Sequence, residues 1–488
     1  MSDKAHEPVV EPGAGDAAAA GRAGDRLFRA GDHAAAVPAY EVAAAASELP
    51  PAELSAKLAR ACLAAGDPSR AMAWALRVAD ADLGFAAWSA AAKVLQRARD
   101  AGLPRLRRRL RVGLVRTWTT NAFAPLCSLA LARFGIDAEI YEAPFDQYFN
   151  ETLEPGSALF ASRPEALILC PEHRAMGLPA FAEDPEAAVA DEGARWGGVW
   201  QAARATAPLT IVQQGFALPA GNLLGHLETA LAGARQSLAQ AVNRELAAAA
   251  EATDVGMVDL DGLAGRFGKD AWFDERNWHL AKVALAPAGM PLLARHTAAV
   301  LAARLGLSRR CLVLDLDNTL WGGVIGDDGL AGLTLGDGPD GEAFVAFQHV
   351  IKGLADRGVI LAVCSKNDPE IAREPFLRHP EMVLGLDDIA AFVANWQPKS
   401  ENLETIAKTL DLGLDALTFV DDNPYERAEV RRALPDVDVL ALPPEPTGYA
   451  RALLAYPDFE PAAFTIEDRA RGAQYRARAE ALSLRDGA

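Results

Sequence analysis

Apolar and polar positions divide the chain into stretches with different periods. From Gly21 to about Gly102, alanines and leucines recur at helical spacing and predict packed helices. From there to about residue 305, short apolar runs alternate with helical patterns. Val112–Val115, Ala138–Tyr141, Ala166–Leu169, Leu209–Val212 and Met257–Leu260 read as strands, with helices near 121–134, 187–206, 226–250 and 287–304. A second alternating stretch opens at Arg310 and runs to about 445, with strands at Cys311–Leu314, Gly358–Cys364 and Ala416–Val420. Strands alternating with helices predict parallel sheets covered on both faces. The expected fold class is therefore α/β: two doubly wound parallel-sheet domains preceded by an α-helical repeat-like region. The boundaries this implies are 1–20 (disordered lead-in), 21–105 (helical), 106–305 (first α/β domain), 306–445 (second α/β domain) and 446–488 (helical tail, clearest over Ile466–Ser483). The basic run Leu106–Arg111 reads as a solvated linker between the helices and the first strand.

Length agrees with this division, since 488 residues predict two to four domains at about 100–200 residues each. Within the helical region Ala30-Gly31-Asp32 recurs as Ala65-Gly66-Asp67, with Ala101-Gly102 following, a period of about 35 residues. Gly-Asp turns at that spacing are similar to those of tetratricopeptide helix pairs. Charge narrows the partners. Against 48 Lys and Arg stand 66 Asp and Glu, a net charge of −18. A surface so acidic repels phosphate backbones and anionic lipid, so neither nucleic acid nor membrane is the expected partner. A site for a phosphorylated substrate must then supply its own cation. The five cysteines are scattered without a C-x-x-C, there is no apolar leader and no membrane-length apolar run, and a cytoplasmic protein is expected.

Candidate chemistry concentrates in the second α/β stretch. Cys311–Leu314 is a strand of four apolar residues that ends in Asp315-Leu316-Asp317-Asn318. Side chains two apart on an extended chain point to the same side, so Asp315 and Asp317 converge above the carboxyl edge of the sheet. Paired carboxylates there need a cation between them, and an oxygen-only site favours Mg²⁺. Cys364 and Ser365 end the next strand, Trp396-Gln397-Pro398-Lys399 leads into a helix, and Asp421-Asp422-Asn423-Pro424 ends a third strand. Trp321–Gly329 has the glycines of a tight hairpin, a flap beside the first carboxylates. The short intervals from Asp317 to Ser365 and from Ser365 to Lys399 leave no room for a sizeable cap domain.

An Asp pair, a Ser, a Lys and a further Asp pair, in that order, resemble the four motifs of the haloacid dehalogenase (HAD) superfamily. That resemblance implies a capless, Rossmann-like core and phosphoryl-transfer chemistry. Asp315 would be the nucleophile forming an aspartyl-phosphate and Asp317 the general acid and base. Asp315, Asp421 and Asp422, with the carbonyl of Asp317, would hold Mg²⁺, and Ser365, Lys399 and Asn318 the phosphoryl group. The blocks at 315–323, 364–367 and 420–424 further resemble the FkbH-like branch, HAD subfamily IIIC. The stretch before them is similar to that branch's SGNH-hydrolase-like region. Membership there implies dephosphorylation of 1,3-bisphosphoglycerate and transfer of the glyceryl group to the phosphopantetheine thiol of an acyl carrier protein in polyketide or related biosynthesis. Cys364 then matches the thiol that carries the glyceryl group.

Three readings stay open on the residues alone. They are the glyceryl transferase, a simple HAD phosphatase for a sugar or other metabolite phosphate with Cys364 structural, and a non-catalytic scaffold in a biosynthetic complex. In the SGNH-like region the first strand runs Gly113–Asn121 without a Gly-Asp-Ser. Asp274 and His279 are similar to that fold's closing Asp/His block but differently spaced, so a scaffolding or binding role is expected there. Longer members of the branch continue into an acetyltransferase-like domain, and here the chain ends after the expected tail.

Overall fold

The computed structural model describes residues 14–47, 49–80, 83–101, 106–465, 467–468, 471–472 and 474–478. Residues 1–13 of the expected lead-in, Gly102 of the repeat, and Ile466 and 479–488 of the expected tail lie outside them. The described residues divide into two compact units between Leu305 and Gly306.

The first unit begins with helices α1 (Ala14–Arg29), α2 (His33–Ala44), α3 (Ala52–Ala64), α4 (Pro68–Asp80) and α5 (Phe85–Asp100). Helix α1 thus starts inside the stretch 1–20 read as a lead-in, because Ala-rich sequence from residue 14 onward favours helix. The recurring Ala-Gly-Asp is a turn with two jobs. Gly31 (φ +81°) and Gly66 (φ +82°) take the left-handed conformation that ends α1 and α3. Asp32 and Asp67 then accept the amide protons of Ala35 and Arg70 at 3.1 and 3.0 Å, starting α2 and α4.

Five parallel strands follow in the order β2-β1-β3-β4-β5: β1 (Arg108–Arg116), β2 (Ile136–Glu142), β3 (Ala166–Cys170), β4 (Thr210–Gln214) and β5 (Gly256–Val258). The basic run read as a linker is the start of β1. Leu110, Val112 and Leu114 are buried at alternate positions, and Arg109 and Arg111 face outward between them. Arg109 meets Glu139 of the neighbouring strand at 2.6 Å, so dense charge masked a period-two pattern. Strand β5 stops short of Leu260 because Asp259 accepts the Gly262 amide and starts a helix. The Pro185–Thr206 and Arg235–Ala252 helices cover one face of this sheet, and the Phe123–Ala132 and Met290–Arg304 helices the other.

The second unit repeats the architecture with β6 (Cys311–Leu314), β7 (Ile360–Ser365), β8 (Ile389–Ala394), β9 (Leu417–Asp421) and β10 (Asp438–Ala441), ordered β10-β9-β6-β7-β8 and all parallel. Alternation splits its core in two. Leu312, Leu314, Leu361 and Val363 face the Gly338–Asp356 helix, while Cys311, Val313, Ile360, Ala362 and Cys364 face the Lys399–Leu410 helix. The expected tail from 446 onward begins as part of this core, since Tyr449, Leu453, Tyr456 and Phe459 are buried against the first of these layers. All five cysteines are free and buried. Among the described residues, no helix is long and apolar enough to cross a membrane.

The turn glycines give a direct stability test. Nothing crowds Gly66, so a side chain there is opposed by its positive φ alone. Gly66→Val should lower the stability of the helical region by about 1–2 kcal/mol, and Gly66→Asn by clearly less. Urea denaturation followed by far-ultraviolet circular dichroism reads the difference; equal losses for the two variants would refute the strain account.

Candidate active site

The second sheet brings its chemistry together through register. Strand β6 is central, with Leu314 level with Val363 of β7 on one side and Val420 of β9 on the other. The next residue of each strand is Asp315, Cys364 and Asp421, so all three arrive at one edge at the same height. The Asp315 amide donates to the Val420 carbonyl at 2.9 Å and extends the ladder by one bond.

Asp315, Asp421 and Asp422 each offer a carboxylate oxygen within 4.8 Å of the others. Asp315 and Asp421 are buried and Asp422 half-buried. Lys399, at the first turn of the Lys399–Leu410 helix, is buried too and reaches into the group. Its Nζ lies 2.9 Å from Asp315 Oδ1 and donates to Asp421 Oδ2. The two carboxylates outweigh the effect of burial and raise the ammonium pKa, so Lys399 stays charged. One lysine cannot balance three carboxylates. Burial first, and then repulsion from Asp315, push Asp421 up to about 7 and Asp422 up to about 6. The donor set is all oxygen, which fits a hard divalent cation.

Asp317 stands apart from this group. Its Oδ1 accepts from the Trp321 indole at 3.0 Å and the Ile325 amide at 3.1 Å, and its Oδ2 accepts from Asn367 Nδ2 at 2.8 Å. The carboxylate expected to converge with Asp315 is therefore held by three N–H donors, two from the flap and one from Asn367 beyond β7. That flap is not a tight hairpin. Gly322 bridges to Thr334, and the Ile325–Gly332 helical segment lies between them, with Asp328 accepting the Val324 amide at 2.8 Å. The local carboxylates stabilise helical turns where the glycines had pointed to a two-residue loop.

The remaining residues divide. Ser365 is buried at the tip of β7, with Asn367 Nδ2 3.4 Å from its hydroxyl. Asn318 is exposed in the left-handed conformation (φ 55°), and its side-chain oxygen accepts the Gly323 amide at 3.0 Å, so that oxygen shapes the turn. Cys364 points into the apolar layer under the Lys399–Leu410 helix, with Sγ 3.8 Å from the Lys399 carbonyl. Burial pushes its thiol pKa up, against the smaller opposing effect of Lys399. Several residues went unnoticed in the sequence. Asn367 and Trp321 hold Asp317, Thr319 Oγ1 accepts the Asp422 amide at 3.1 Å, and buried Arg427 donates to the Asp421 carbonyl. Asn367, Trp321 and Thr319 lie inside the 364–367 and 315–323 blocks and so had a sequence signal, whereas Arg427 lies outside them.

In the first unit the late Asp/His pair does not form a catalytic arrangement. Asp274 caps a helix by accepting the Asn277 amide at 2.9 Å, and the His279 side chain is exposed beside Glu275 at 3.8 Å.

No protein-family model matches the chain, and no curated protein does. Its structure is similar to the crystal structure of the N-terminal part of the protein BF1531 from Bacteroides fragilis, which contains a phosphatase domain and is complexed with Mg. The two share 30 % identity with a TM-score of 0.68, over 78 % of this chain and 99 % of that one.

The carboxylate cluster predicts a pH signature. Asp421 and Asp422 are raised in the folded chain, so between the ordinary value of 3.8 and about 7 the folded state holds more protons than the unfolded one. Raising pH through that window removes those protons, and the stability of cation-free protein should fall. Millimolar divalent cation should reverse the fall, because it binds the deprotonated carboxylates of the folded state. Thermal melts of chelator-treated protein at stepped pH, with and without cation, test this. A melting temperature that is flat across the window in both series would remove the cluster's role.

Proposed function

The chain belongs to the HAD-like phosphatases, and on that premise we propose that it is a Mg²⁺-dependent enzyme that cleaves phosphate from a small-molecule donor through an aspartyl-phosphate on Asp315. The observation that carries this reading is Lys399, buried between Asp315 and Asp421 at the central strand tip, with Asp422 completing an all-oxygen cluster.

Asp315, Asp421 and Asp422 would hold the metal, with the Asp317 carbonyl beside them, and bound Mg²⁺ would supply positive charge to the phosphoryl oxygens. The chain's own residues do the rest. An Asp315 oxygen attacks phosphorus, the bond to the leaving oxygen breaks, and that oxygen takes a proton from Asp317. Asp317, ionised by that step, then takes a proton from water as the water oxygen attacks phosphorus. The Asp315–phosphorus bond breaks, and phosphate and free Asp315 are restored. Asn367, Trp321 and the Ile325 amide hold the Asp317 carboxylate apart from the three-carboxylate cluster. Ser365 and Lys399 offset charge on the phosphoryl oxygens.

A second, finer reading rests on the signature blocks and on the rim of the site. Trp396, three residues before Lys399, and Tyr425, just past the Asp421–Asn423 tip, are exposed by 74 % and 66 %. Between β6 and β7 the chain forms only the Ile325–Gly332 and Gly338–Asp356 helices, and between β7 and β8 the Pro369–Arg378 helix and a short turn, so no cap domain closes over the edge. Exposed aromatics beside an open edge suit a macromolecular acceptor such as the arm of an acyl carrier protein. In that reading 1,3-bisphosphoglycerate is the donor: the carrier thiolate attacks the C1 carbonyl carbon, the bond from that carbon to the acyl-phosphate oxygen breaks and phosphate leaves with that oxygen, and the C3 phosphate is the one removed through Asp315. The burial of Cys364 weighs against its being the intermediate carrier, so direct transfer to the phosphopantetheine thiol is the form we favour.

Asp315→Asn should reduce Mg²⁺-dependent hydrolysis of p-nitrophenyl phosphate by roughly 10³-fold or more while leaving the fold intact. Chelation should abolish the activity and Mg²⁺ restore it; a variant that keeps its rate would show that the nucleophile lies elsewhere.

Incubation with 1,3-bisphosphoglycerate, Mg²⁺ and phosphopantetheinylated carrier protein, followed by intact-mass spectrometry, tests the finer reading. A glyceryl adduct on the carrier that persists in Cys364→Ala supports direct transfer. An adduct lost in Cys364→Ala would instead make that thiol the carrier, and phosphate release without any adduct leaves a simple phosphatase.

A further inference from the structure

The carboxyl edge of the second sheet holds one cation that the proposed chemistry does not use. Within six residues of the ends of β6, β7, β8 and β9 the chain has three cationic side chains, Lys366, Lys399 and Arg427. Lys399 is buried between Asp315 and Asp421, and Arg427 is buried with its guanidinium on the Asp421 carbonyl. Lys366, directly after Ser365 at the tip of β7, has a side chain 38 % exposed. Its Nζ lies 2.6 Å from Glu426 Oε1, in the first turn of the Pro424–Ala433 helix that follows the β9 tip.

Topology places that ion pair. Strand β6 lies between β7 and β9, so a link from a residue past the β7 tip to one past the β9 tip crosses the end of β6, where Asp315 stands. Neighbouring strands are about 5 Å apart, so Lys366 is rooted one strand away from the proposed nucleophile. The thiol of Cys364, buried beneath, responds to Lys399, Asp315, Asp421 and Glu426 together, which sets Glu426 close to the carboxylate cluster. An ammonium has three donors; Glu426 engages one, and the exposed side of Lys366 leaves room for another partner. A carboxylate carries one negative charge, whereas a phosphate ester carries about −1.5 to −2 near pH 7, so an arriving phosphate competes well with Glu426 for the same ammonium. Elsewhere a chain of net charge −18 offers an anion little attraction.

We infer that Lys366 is a specificity-determining residue: it binds a second phosphate at the far end of the donor, and Glu426 is the partner that this phosphate displaces. The inference rests on the reading of the β6 edge as a phosphoryl site and adds the residue pair that selects among donors there. One phosphate meets Asp315, and the other meets the Lys366 ammonium across a spacer of a few atoms. A donor with a neutral far end leaves the Lys366–Glu426 pair closed and gains nothing from it.

Equilibrium binding tests this without turnover. With the full chain carrying Asp315→Asn, in Mg²⁺, calorimetric titration should show glycerol 1,3-bisphosphate binding about tenfold more tightly than glycerol 3-phosphate. Adding Lys366→Met should bring that ratio to about twofold, the statistical advantage of two equivalent ends, whereas Lys366→Arg should keep most of it. Glu426→Gln should raise the ratio, because the competing carboxylate is gone. Lys366→Met combined with Glu426→Gln should stay near twofold; a ratio restored there would trace the loss to repulsion from an unmasked Glu426 and overturn the inference. A bisphosphate bound no better than the monophosphate, or a ratio unchanged by Lys366→Met, would overturn it too. So would Glu426→Gln weakening both ligands equally, as a merely structural ion pair predicts. The phosphatase reading is judged separately, by wild-type hydrolysis of p-nitrophenyl phosphate, which has no second anionic group for Lys366 to hold.

Discussion

The second unit is organised around a repulsion that its own fold creates. Parallel pairing brings Asp315 and Asp421 to one height, and Asp422 follows, so three carboxylates meet within 4.8 Å at a largely buried edge. At an effective dielectric of about 20, each like-charged pair at that distance costs roughly 3 kcal/mol. The sheet tolerates this because its strands are fixed from below. Leu312, Val313, Leu314 and Phe419 are fully buried on the two faces, and the carboxylates cannot separate without unpacking both layers. Relief must come from added positive charge. Lys399 supplies part of it, and what remains is met by protons, as the raised Asp421 and Asp422 indicate, or by a divalent cation.

From the same constraint come the different surroundings of two carboxylates two residues apart. Asp315 sits inside the cluster and shares Lys399. Asp317 is turned aside by the Trp321 indole, the Ile325 amide and Asn367, which replace the metal as its partners. Neighbouring groups in such different surroundings suit one to attack and the other to move protons. The flap thus helps to fix Asp317, since Trp321 and the Ile325 amide are two of its three partners.

The two sheets present different groups at the same edge. In the second unit the strand tips carry carboxylates and gather positive charge. The corresponding edge of the first unit carries aromatic rings and the imidazole of His173, kept neutral by burial. Shared architecture therefore does not decide chemistry; the two or three residues after each strand do.

Much of this was legible along the chain. All five strands of the first sheet had an apolar run within a few residues of the observed one, and β6 coincided with its apolar run, because a strand buried on both faces leaves a continuous hydrophobic signal. The Asp, Ser, Lys and Asp-pair blocks were legible for the same reason, each placed directly after such a run or at a helix start. Less local features were hidden. The start of β1 was masked by Arg108, Arg109 and Arg111, and the outward alternation of Arg109 and Arg111 appears only once β2 offers Glu139. The carboxylates of Asp315 and Asp317 were expected to converge because of their two-residue spacing on an extended chain, but the strand ends at Leu314 and the turn through Asn318 sends the Asp317 carboxylate to Trp321, Ile325 and Asn367. Cys364 looked reactive beside Ser365, and only the packing of the Lys399–Leu410 helix puts it on the dry face. The sequence by itself determined which segments form strands and which chemical groups follow them, since both depend on residues adjacent in the chain. Tertiary structure alone decided which carboxylates cluster around Lys399, which one is held apart by N–H donors and which thiol is sealed in. Those outcomes depend on distances between strands and on burial, and neither is written into local sequence.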